Sequence, residues 1–255
     1  MRLFDTHAHY DADAFDADRM EVLSSMPGQG GELILNPGCD LKSSQTAVEL
    51  AERFPFVYAA VGVHPEECAD WNAEHDIPVL ETLAQNPKVR AIGEIGLDYH
   101  WAENPPRELQ QQAFHAQLEL AEKLDLPVIV HDRDAHHDCL DIVRAHPKVT
   151  GVYHCYSGGV EDAKTLMKLG WMISFTGSIT FKNARRALEV IDLLPLDRMM
   201  IETDSPYMSP EPFRGRRNDS SRVHLVAEAI ARRKGLDPEE VARITLENGR
   251  RFFRI

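Results

Sequence analysis

The sequence predicts an α/β protein, a (β/α)8 barrel of the TIM type that forms a single domain. Short, apolar, β-rich runs alternate with helical patterns from one end of the chain to the other, and the 255 residues match the usual size of one such barrel. No long linker rich in Gly, Ser or Pro divides the sequence, so residues 1–255 are expected to form one barrel. A doubly wound open sheet is the structural alternative that this pattern leaves open.

Eight runs have the composition of buried parallel strands. They are short and nearly wholly apolar, as expected for strands that helices cover on both faces. In chain order the expected strands are residues 2–6, 32–35, 56–63, 89–95, 128–130, 151–153, 171–175 and 199–202.

Helical patterns separate these runs, and two of them carry clear signals. In residues 107–124, four apolar residues recur at the spacing of one helix face: Phe114, Leu118, Ala121 and Leu124. In the last helical pattern, Asp237 is the expected N-cap and Pro238 the first helical residue. Gly249 is expected to end that helix.

The composition bounds the class of function. With 28 basic and 41 acidic residues the formal charge is −13, which argues against a protein that wraps a nucleic-acid duplex. The four cysteines are scattered without a CxxC pair, so reduced thiols in a cytoplasmic enzyme are expected. No apolar run approaches the ~20 residues of a membrane span, and no signal-peptide pattern opens the sequence. The protein is expected to be a monomer.

Residues that bind metals or carry protons fall at the ends of six expected strands. They are His7 and His9 after the first run, His64 after the third, Glu94 in the fourth, and His131, His154 and Asp204 after the fifth, sixth and eighth. A lone histidine at a strand end is usually a structural residue. In a barrel, however, the carboxyl ends of all strands meet at the active-site face, so these side chains are expected to converge.

This inventory predicts a centre for two divalent cations, Zn²⁺, Mn²⁺ or Mg²⁺, with the imidazoles arguing against an all-oxygen Mg²⁺ cage. His7 and His9 lie two residues apart and are expected to hold one ion from the same side of a strand, with Asp5 orienting a ligand. His131 and His154 are expected to hold the other ion, Glu94 to bridge the two, and Asp204 to bind the first ion and the attacking water. The remaining histidines are interpreted as surface or packing residues: His75, His100, His115, His136, His137, His146 and His224.

Six motifs in order resemble a known family. "FDTHAHYD", "VGVHP", "AIGEIGLDYH", "PVIVHDRDAH", "YHCYSGG" and "IETDSPYMSPEPFRGRRN" are similar to the motifs of the TatD-type metal-dependent deoxyribonucleases of the amidohydrolase superfamily, over about residues 3–253. The resemblance implies a TIM-type barrel, two divalent cations and hydrolysis of DNA phosphodiesters, often from the 3′ end. By position, the family's metal ligands fall on His7, His9, Glu94, His131, His154 and Asp204. His64 matches a histidine that contacts substrate. After "FRGRRN", where many relatives continue with Glu-Pro, this chain has Asp219, Ser220 and Ser221, which bears on the loop's geometry and on substrate preference.

The expected function is a metal-dependent hydrolase, a 3′–5′ exonuclease that acts on single-stranded DNA or on chain ends. The expected catalytic residues are Asp204, which accepts the proton of water or orients the hydroxide, Glu94, and His64, which stabilises the phosphate or protonates the leaving oxygen. Arg214 and Arg217 are expected to contact phosphates.

Three aromatic residues lie near the ends of expected strands: Phe181, Tyr156 and Tyr207. Each could stack on a base, although packing is the commoner use of such residues.

Two other functions fit parts of the pattern. Another hydrolase of the amidohydrolase superfamily would use the same residues on a C–N, ester or small phosphoester bond. A non-catalytic metalloprotein is the second alternative, but a structural zinc site is closed at four ligands and this inventory is larger.

Overall fold

The eight expected strands form one parallel sheet, and the sheet order follows the chain order. The computed structural model describes residues 1–255. The strands are β1 Leu3–Asp5, β2 Gly31–Pro37, β3 Val57–Val61, β4 Val89–Asp98, β5 Val128–Arg133, β6 Gly151–Tyr153, β7 Met172–Phe175 and β8 Met199–Ile201. The helices are α1 Arg19–Ser25, α2 Leu41–Arg53, α3 Ala73–Leu83, α4 Arg107–Leu124, α5 His136–Ala145, α6 Val160–Lys168, α7 Arg185–Leu193, α8 Val223–Lys234 and α9 Pro238–Phe253.

Hydrogen bonds between the segments at the carboxyl ends of β1 and β8 close the sheet into a ring. The Thr6 amide donates to the Ile201 carbonyl at 3.2 Å. Beyond the strand ends, the Asp204 amide donates to the His7 carbonyl at 2.8 Å and the His9 amide to the Ser205 carbonyl at 2.7 Å. The predicted barrel is therefore confirmed and the open sheet is wrong, because an open sheet would leave these edge groups unpaired.

One group of buried side chains fills the lower part of the barrel. Each strand contributes to it: Phe4, Leu33, Leu35, Ala60, Ala91, Ile129, Val152, Met172 and Met200. Leu246 and Phe253 of α9 join the same group and cover its base. A larger apolar group lies between the strands and the surrounding helices. The lower barrel is therefore solid, and polar side chains meet only near the carboxyl ends of the strands.

The last helix differs from its expected length. The Asp237 side chain accepts from the Glu239 amide, so the predicted N-cap is confirmed, but α9 continues through Gly249 to Phe253. A Cβ on Gly249 would lie 2.5 Å from Cδ1 of Phe4. Gly249 is therefore a contact residue that lets α9 approach the base of the barrel, and its predicted role as a helix terminus is wrong.

β4 and β5 extend beyond their expected ends, to Asp98 and Arg133. Gly96 permits their close pairing, because its φ is 140° and a Cβ there would overlap the His131 carbonyl oxygen. The extension brings polar residues that follow Glu94 alongside those that follow His131. No helix in the chain combines the length and the apolar character that a membrane crossing requires.

Candidate metal centre

The seven site residues predicted at strand ends come together at the mouth of the barrel, around the carboxylate of Glu94. That side chain is 3% exposed, and its two oxygens face different neighbours. Oε2 lies 3.1 Å from Nε2 of His7 and 3.4 Å from Nε2 of His9. Oε1 lies 3.0 Å from Nδ1 of His131 and 2.7 Å from Nε2 of His154. One carboxylate therefore joins two pairs of histidines.

Asp204 completes the group around Oε2. Its Oδ1 lies 3.8 Å from Nε2 of His7 and 3.6 Å from Nε2 of His9, and those two nitrogens are 3.0 Å apart. Asp204 has a left-handed backbone with φ of 57°, in the turn that follows β8. Its side chain is 11% exposed, so it is the more accessible of the two carboxylates.

The spacing of these atoms fits ion coordination. Ligand atoms about 2.1 Å from a tetrahedral Zn²⁺ lie about 3.4 Å from one another. The separations around Oε2 run from 3.0 to 3.8 Å, and those around Oε1 from 2.7 to 3.3 Å. Imidazole nitrogens mixed with carboxylate oxygens suit Zn²⁺ and Mn²⁺. The cluster can therefore hold metal ions without large movement of its side chains.

The outer ring nitrogens of three histidines face oxygen atoms. Nδ1 of His9 lies 3.2 Å from the Pro37 carbonyl oxygen, and Nε2 of His131 lies 2.9 Å from Oδ2 of Asp98. Nδ1 of His154 lies 3.3 Å from Oε1 of Glu202. For His9 and His131, these oxygens favour a proton on the outer nitrogen, which leaves the lone pair of the inner nitrogen free for an ion. Nδ1 of His154 is close to Glu202 but makes no hydrogen bond.

His64 has the opposite arrangement. Its Nδ1 accepts a hydrogen bond from the Glu66 amide at 3.2 Å, and its Nε2 lies 3.5 Å from Oε1 of Glu94. An outer nitrogen that accepts cannot carry a proton, so the neutral ring has its N–H on Nε2, pointing into the site. His64 is therefore a hydrogen-bond donor toward the centre.

Burial and the neighbouring charges set the protonation of the cluster. Burial favours the neutral form of Glu94, but His154, His7 and His64 together outweigh it and hold the pKa of Glu94 well below its usual range. Burial raises the pKa of Asp204 to about 6. Burial, followed by the nearby His131, lowers the pKa of His64 to about 4, which agrees with a neutral donor.

Sequence reasoning missed two carboxylates beside the ligands, Asp98 and Glu202. Both are buried, and each faces the outer nitrogen of a histidine. A signal existed, since Glu202 lies two residues before Asp204 and Asp98 lies four residues after Glu94, in motifs already noted. Cys39 was also missed, and its sulfur lies 3.7 Å from Nδ1 of His9. Burial raises the pKa of the Cys39 thiol to about 11, so the thiol is protonated.

The interpretation of Asp5 needs correction. β1 ends at Asp5, so His7 and His9 lie beyond the strand. The Asp5 carboxylate accepts from the Thr203 amide at 2.8 Å, from the Ser220 hydroxyl at 2.6 Å and from the His7 amide at 3.4 Å. The His7 ring does not contact it, and Nδ1 of His7 has no hydrogen-bond partner. Asp5 therefore fixes the backbone around the site rather than an imidazole.

The two predicted phosphate-binding arginines differ in their surroundings. Arg214 is exposed, and its guanidinium lies 4.4 Å from the centre of the Phe181 ring. Arg217 makes two hydrogen bonds to the carboxylate of Asp18, at 2.8 and 2.6 Å. The guanidinium of Arg217 therefore ties its loop to the start of α1.

Of the aromatic residues considered for base stacking, Tyr156 is buried and Phe181 is half-buried. Tyr207 is 59% exposed.

Comparisons with known proteins agree with this fold and site. The sequence model described as "TatD related DNase" matches residues 4–254. An "uncharacterized metal-dependent hydrolase YabD" of Bacillus subtilis (strain 168) is 43% identical over 255 residues, which cover 99% of each chain. A protein of Rahnella sp. (strain Y9602) named "3'-5' ssDNA/RNA exonuclease TatD" is 35% identical over 263 residues, covering 98% of each chain.

A solved structure has the same architecture throughout. The crystal structure of YJJV, a TatD homologue from Escherichia coli K12, superposes with a TM-score of 0.93 at 31% sequence identity. The match covers 100% of this chain and 98% of the other.

Proposed function

The chain belongs to the TatD related DNase family of metal-dependent hydrolases, and from this premise we propose that it hydrolyses DNA phosphodiesters with two divalent cations. We propose further that it removes nucleotides from the 3′ ends of single strands. The family supports the class of reaction, and the geometry of the site supports the number of ions.

The position of Glu94 carries this proposal. Each of its oxygens faces a separate pair of histidine nitrogens, as a carboxylate does when it bridges two ions. His7, His9 and Asp204 would hold the first ion, and His131 and His154 the second. Zn²⁺, Mn²⁺ and Mg²⁺ are the candidates, and the imidazole ligands favour the first two.

Ions in this centre would supply Lewis acidity toward a phosphoryl oxygen and would lower the pKa of water in contact with them to about 7. Asp204 is the accessible carboxylate of the site, so it is placed to orient the attacking water and to accept its proton. His64 presents Nε2–H from the other side of Glu94 and donates to a phosphoryl oxygen or to the leaving oxygen. Glu94 would be held in its charged form by the cations that it helps to bind.

The substrate is inferred from relatives and from local charge. The name of the Rahnella protein supports single-stranded nucleic acid and 3′–5′ polarity, and we assign DNA as the main substrate. Arg214 is an exposed cation on the loop that follows β8, so it can contact a phosphate near the mouth. Arg217 contributes chiefly by holding this loop against Asp18. We also propose that the protein acts as a cytoplasmic monomer, since its scattered cysteines suit a reducing compartment.

A labelled-substrate assay tests this function. Purified protein is analysed for metal content and incubated with single-stranded DNA labelled at its 3′ or its 5′ end, with RNA and a cyclic amide as comparison substrates. We expect early release of the 3′ label only, loss of activity with a chelator, and a rate at least about a hundredfold lower for Asp204→Asn. Early release of the 5′ label would contradict the polarity, cleavage of the cyclic amide alone would contradict the substrate class, and wild-type activity of Asp204→Asn would contradict the role of Asp204.

A further inference from the structure

We propose that Trp101 and Tyr207 are base-stacking residues on opposite sides of the mouth, which select a strand whose bases are unpaired on both sides of the scissile phosphate. This inference rests on the proposed phosphodiesterase function and adds the structural basis of its single-strand preference. Base stacking on aromatic rings is how many proteins bind single strands without reading their sequence.

Tyr207 is fixed beside the first half of the centre. Its amide donates to the Asp204 carbonyl at 2.8 Å, so a tight turn sets the ring's position relative to that carboxylate. The ring centre lies 6.5 Å from that of His9, and the side chain is 59% exposed. A second contact pins the turn, because the Asn218 amide donates to the Pro206 carbonyl at 3.0 Å. More than half of the Tyr207 side chain is therefore exposed to solvent, while backbone hydrogen bonds hold its turn in place.

Trp101 is fixed beside the second half of the centre. It lies three residues after Asp98, whose carboxylate contacts Nε2 of His131 and also accepts from the His100 amide at 2.9 Å. The indole is 46% exposed. The His100 ring contacts it edge-on at 4.6 Å, and the guanidinium of Arg133 lies 5.1 Å from its ring centre. These two neighbours orient the indole while leaving nearly half of it open.

The order of strands places these two rings across the barrel from each other. Trp101 follows β4 and Tyr207 follows β8, and in a ring of eight strands those two are four positions apart in either direction. Glu94 and the histidines lie between them. On this proposal, a phosphate held at the centre would have one ring on its 5′ side and the other on its 3′ side, where each would stack on a flanking base.

Stacking also explains how an acidic protein can hold a polyanion. The chain has a formal charge of −13, so its affinity cannot come from a broad basic face. Aromatic stacking needs no charge, and it requires bases whose faces are free, as they are in a single strand. A base within a duplex is stacked on its neighbours and cannot use either ring without unpairing.

The test separates contacts to bases from contacts to phosphates. Two nuclease-resistant phosphorothioate decamers are compared on the metal-loaded protein, one of thymidine and one of an abasic sugar with the same charge. Binding is measured by quenching of tryptophan fluorescence and by anisotropy of a terminal dye. We expect the thymidine decamer to bind at least about tenfold more tightly than the abasic decamer, and to quench the fluorescence.

Substitutions assign this difference to the two rings. Trp101→Leu and Tyr207→Leu are each expected to lower thymidine binding roughly tenfold and to leave abasic binding unchanged. Trp101→Phe and Tyr207→Phe retain a ring and should keep most of the difference. Trp101→Phe should also remove most of the quenching. The other two tryptophans are less accessible to a bound strand, because Trp171 is buried and Trp71 is half-buried. Leu236→Ala is the matched control, an exposed apolar residue between α8 and α9 and away from the mouth.

Three results would overturn the proposal. Equal affinity for the two decamers, with hydrolysis of single-stranded DNA intact, would contradict the stacking inference without contradicting the proposed function. An equal loss of affinity for both decamers in the leucine variants would mean that the rings act only on the shape of the site. Absence of binding to either decamer, together with absence of phosphodiester hydrolysis, would overturn both proposals.

Discussion

At the residue scale, the direction of one hydrogen bond separates His64 from the other histidines of the site. Its outer nitrogen accepts from the Glu66 amide, whereas the outer nitrogens of His9, His131 and His154 face oxygen atoms. The same residue type therefore serves two purposes, as ligand and as donor, and the group that faces the outer nitrogen of each ring decides which one.

Replacement of His64 by alanine should slow catalysis without weakening metal binding. We expect kcat to fall roughly 10²- to 10⁴-fold, the usual contribution of a positioned proton donor, with metal content unchanged. Steady-state kinetics on single-stranded DNA and metal analysis of the same preparation measure the two effects. His224→Gln is the control, at a half-buried histidine of α8 that hydrogen-bonds the Ser221 carbonyl. Loss of half the bound metal in His64→Ala would mean that His64 is a ligand.

The site could be predicted largely from single residues, because each one follows a strand and the fold brings strand ends together. Asp98 and Glu202 escaped prediction because their value depends on which ring nitrogen they face. Their positions near Glu94 and Asp204 are visible in the motifs, but the direction in which each carboxylate faces a ring arises only in three dimensions. Arg217 has the same limit, since its partner Asp18 lies 199 residues away along the chain.

At the scale of elements, α9 shows how a helix can contradict its local signals. Glycine usually marks a helix end, and Gly249 follows the polar end of the helical pattern. In the structure the glycine faces Phe4, and Phe253 packs on the same ring at 5.9 Å between ring centres. Close packing of α9 on β1 outweighs the low helical propensity of one glycine, which costs about 1 kcal/mol.

Substitution of Gly249 by valine should therefore destabilise the barrel. The added side chain would overlap the Phe4 ring inside a close-packed base, and we expect a loss of about 1–3 kcal/mol in the free energy of unfolding. Urea denaturation followed by circular dichroism measures this loss. Glu247→Ala, on the exposed face of the same helix, should change the free energy by less than about 0.5 kcal/mol. Equal stability of the two variants would show that α9 can move away from Phe4 at no cost.

At the scale of the whole molecule, the alternation of strands and helices favoured the barrel, because parallel strands need crossovers, but it left a doubly wound open sheet as an alternative. The exact seam was beyond such reasoning. It is formed by backbone groups at and beyond the ends of β1 and β8, and the apolar runs do not specify how those groups pair.

Removal of metal should lower the thermal stability of the whole barrel. The site gathers ligands from the ends of five strands, so bound ions tie distant parts of the chain together. At a free ion concentration of one hundred times Kd, binding contributes about 2.7 kcal/mol, which corresponds to a rise in Tm of roughly 5–10 °C for a domain of this size. Calorimetry with a chelator and then with added Zn²⁺ or Mn²⁺ measures the shift. Glu94→Gln should reduce the rise and His64→Ala should keep it; the reverse order would contradict the assigned ligands.

The contacts between the segments at the ends of β1 and β8 also determine when, during synthesis, the metal site can form. The Thr203 amide and the Asp5 carboxylate meet across a separation of 198 residues, so this contact has among the largest loop-closure costs in the chain. During synthesis the ribosome releases His7 and His9 long before Asp204 exists, and a nascent chain with seven strands offers the first ion an incomplete set of ligands. Full metal uptake at this position therefore requires a chain that extends past Asp204 and a closed barrel.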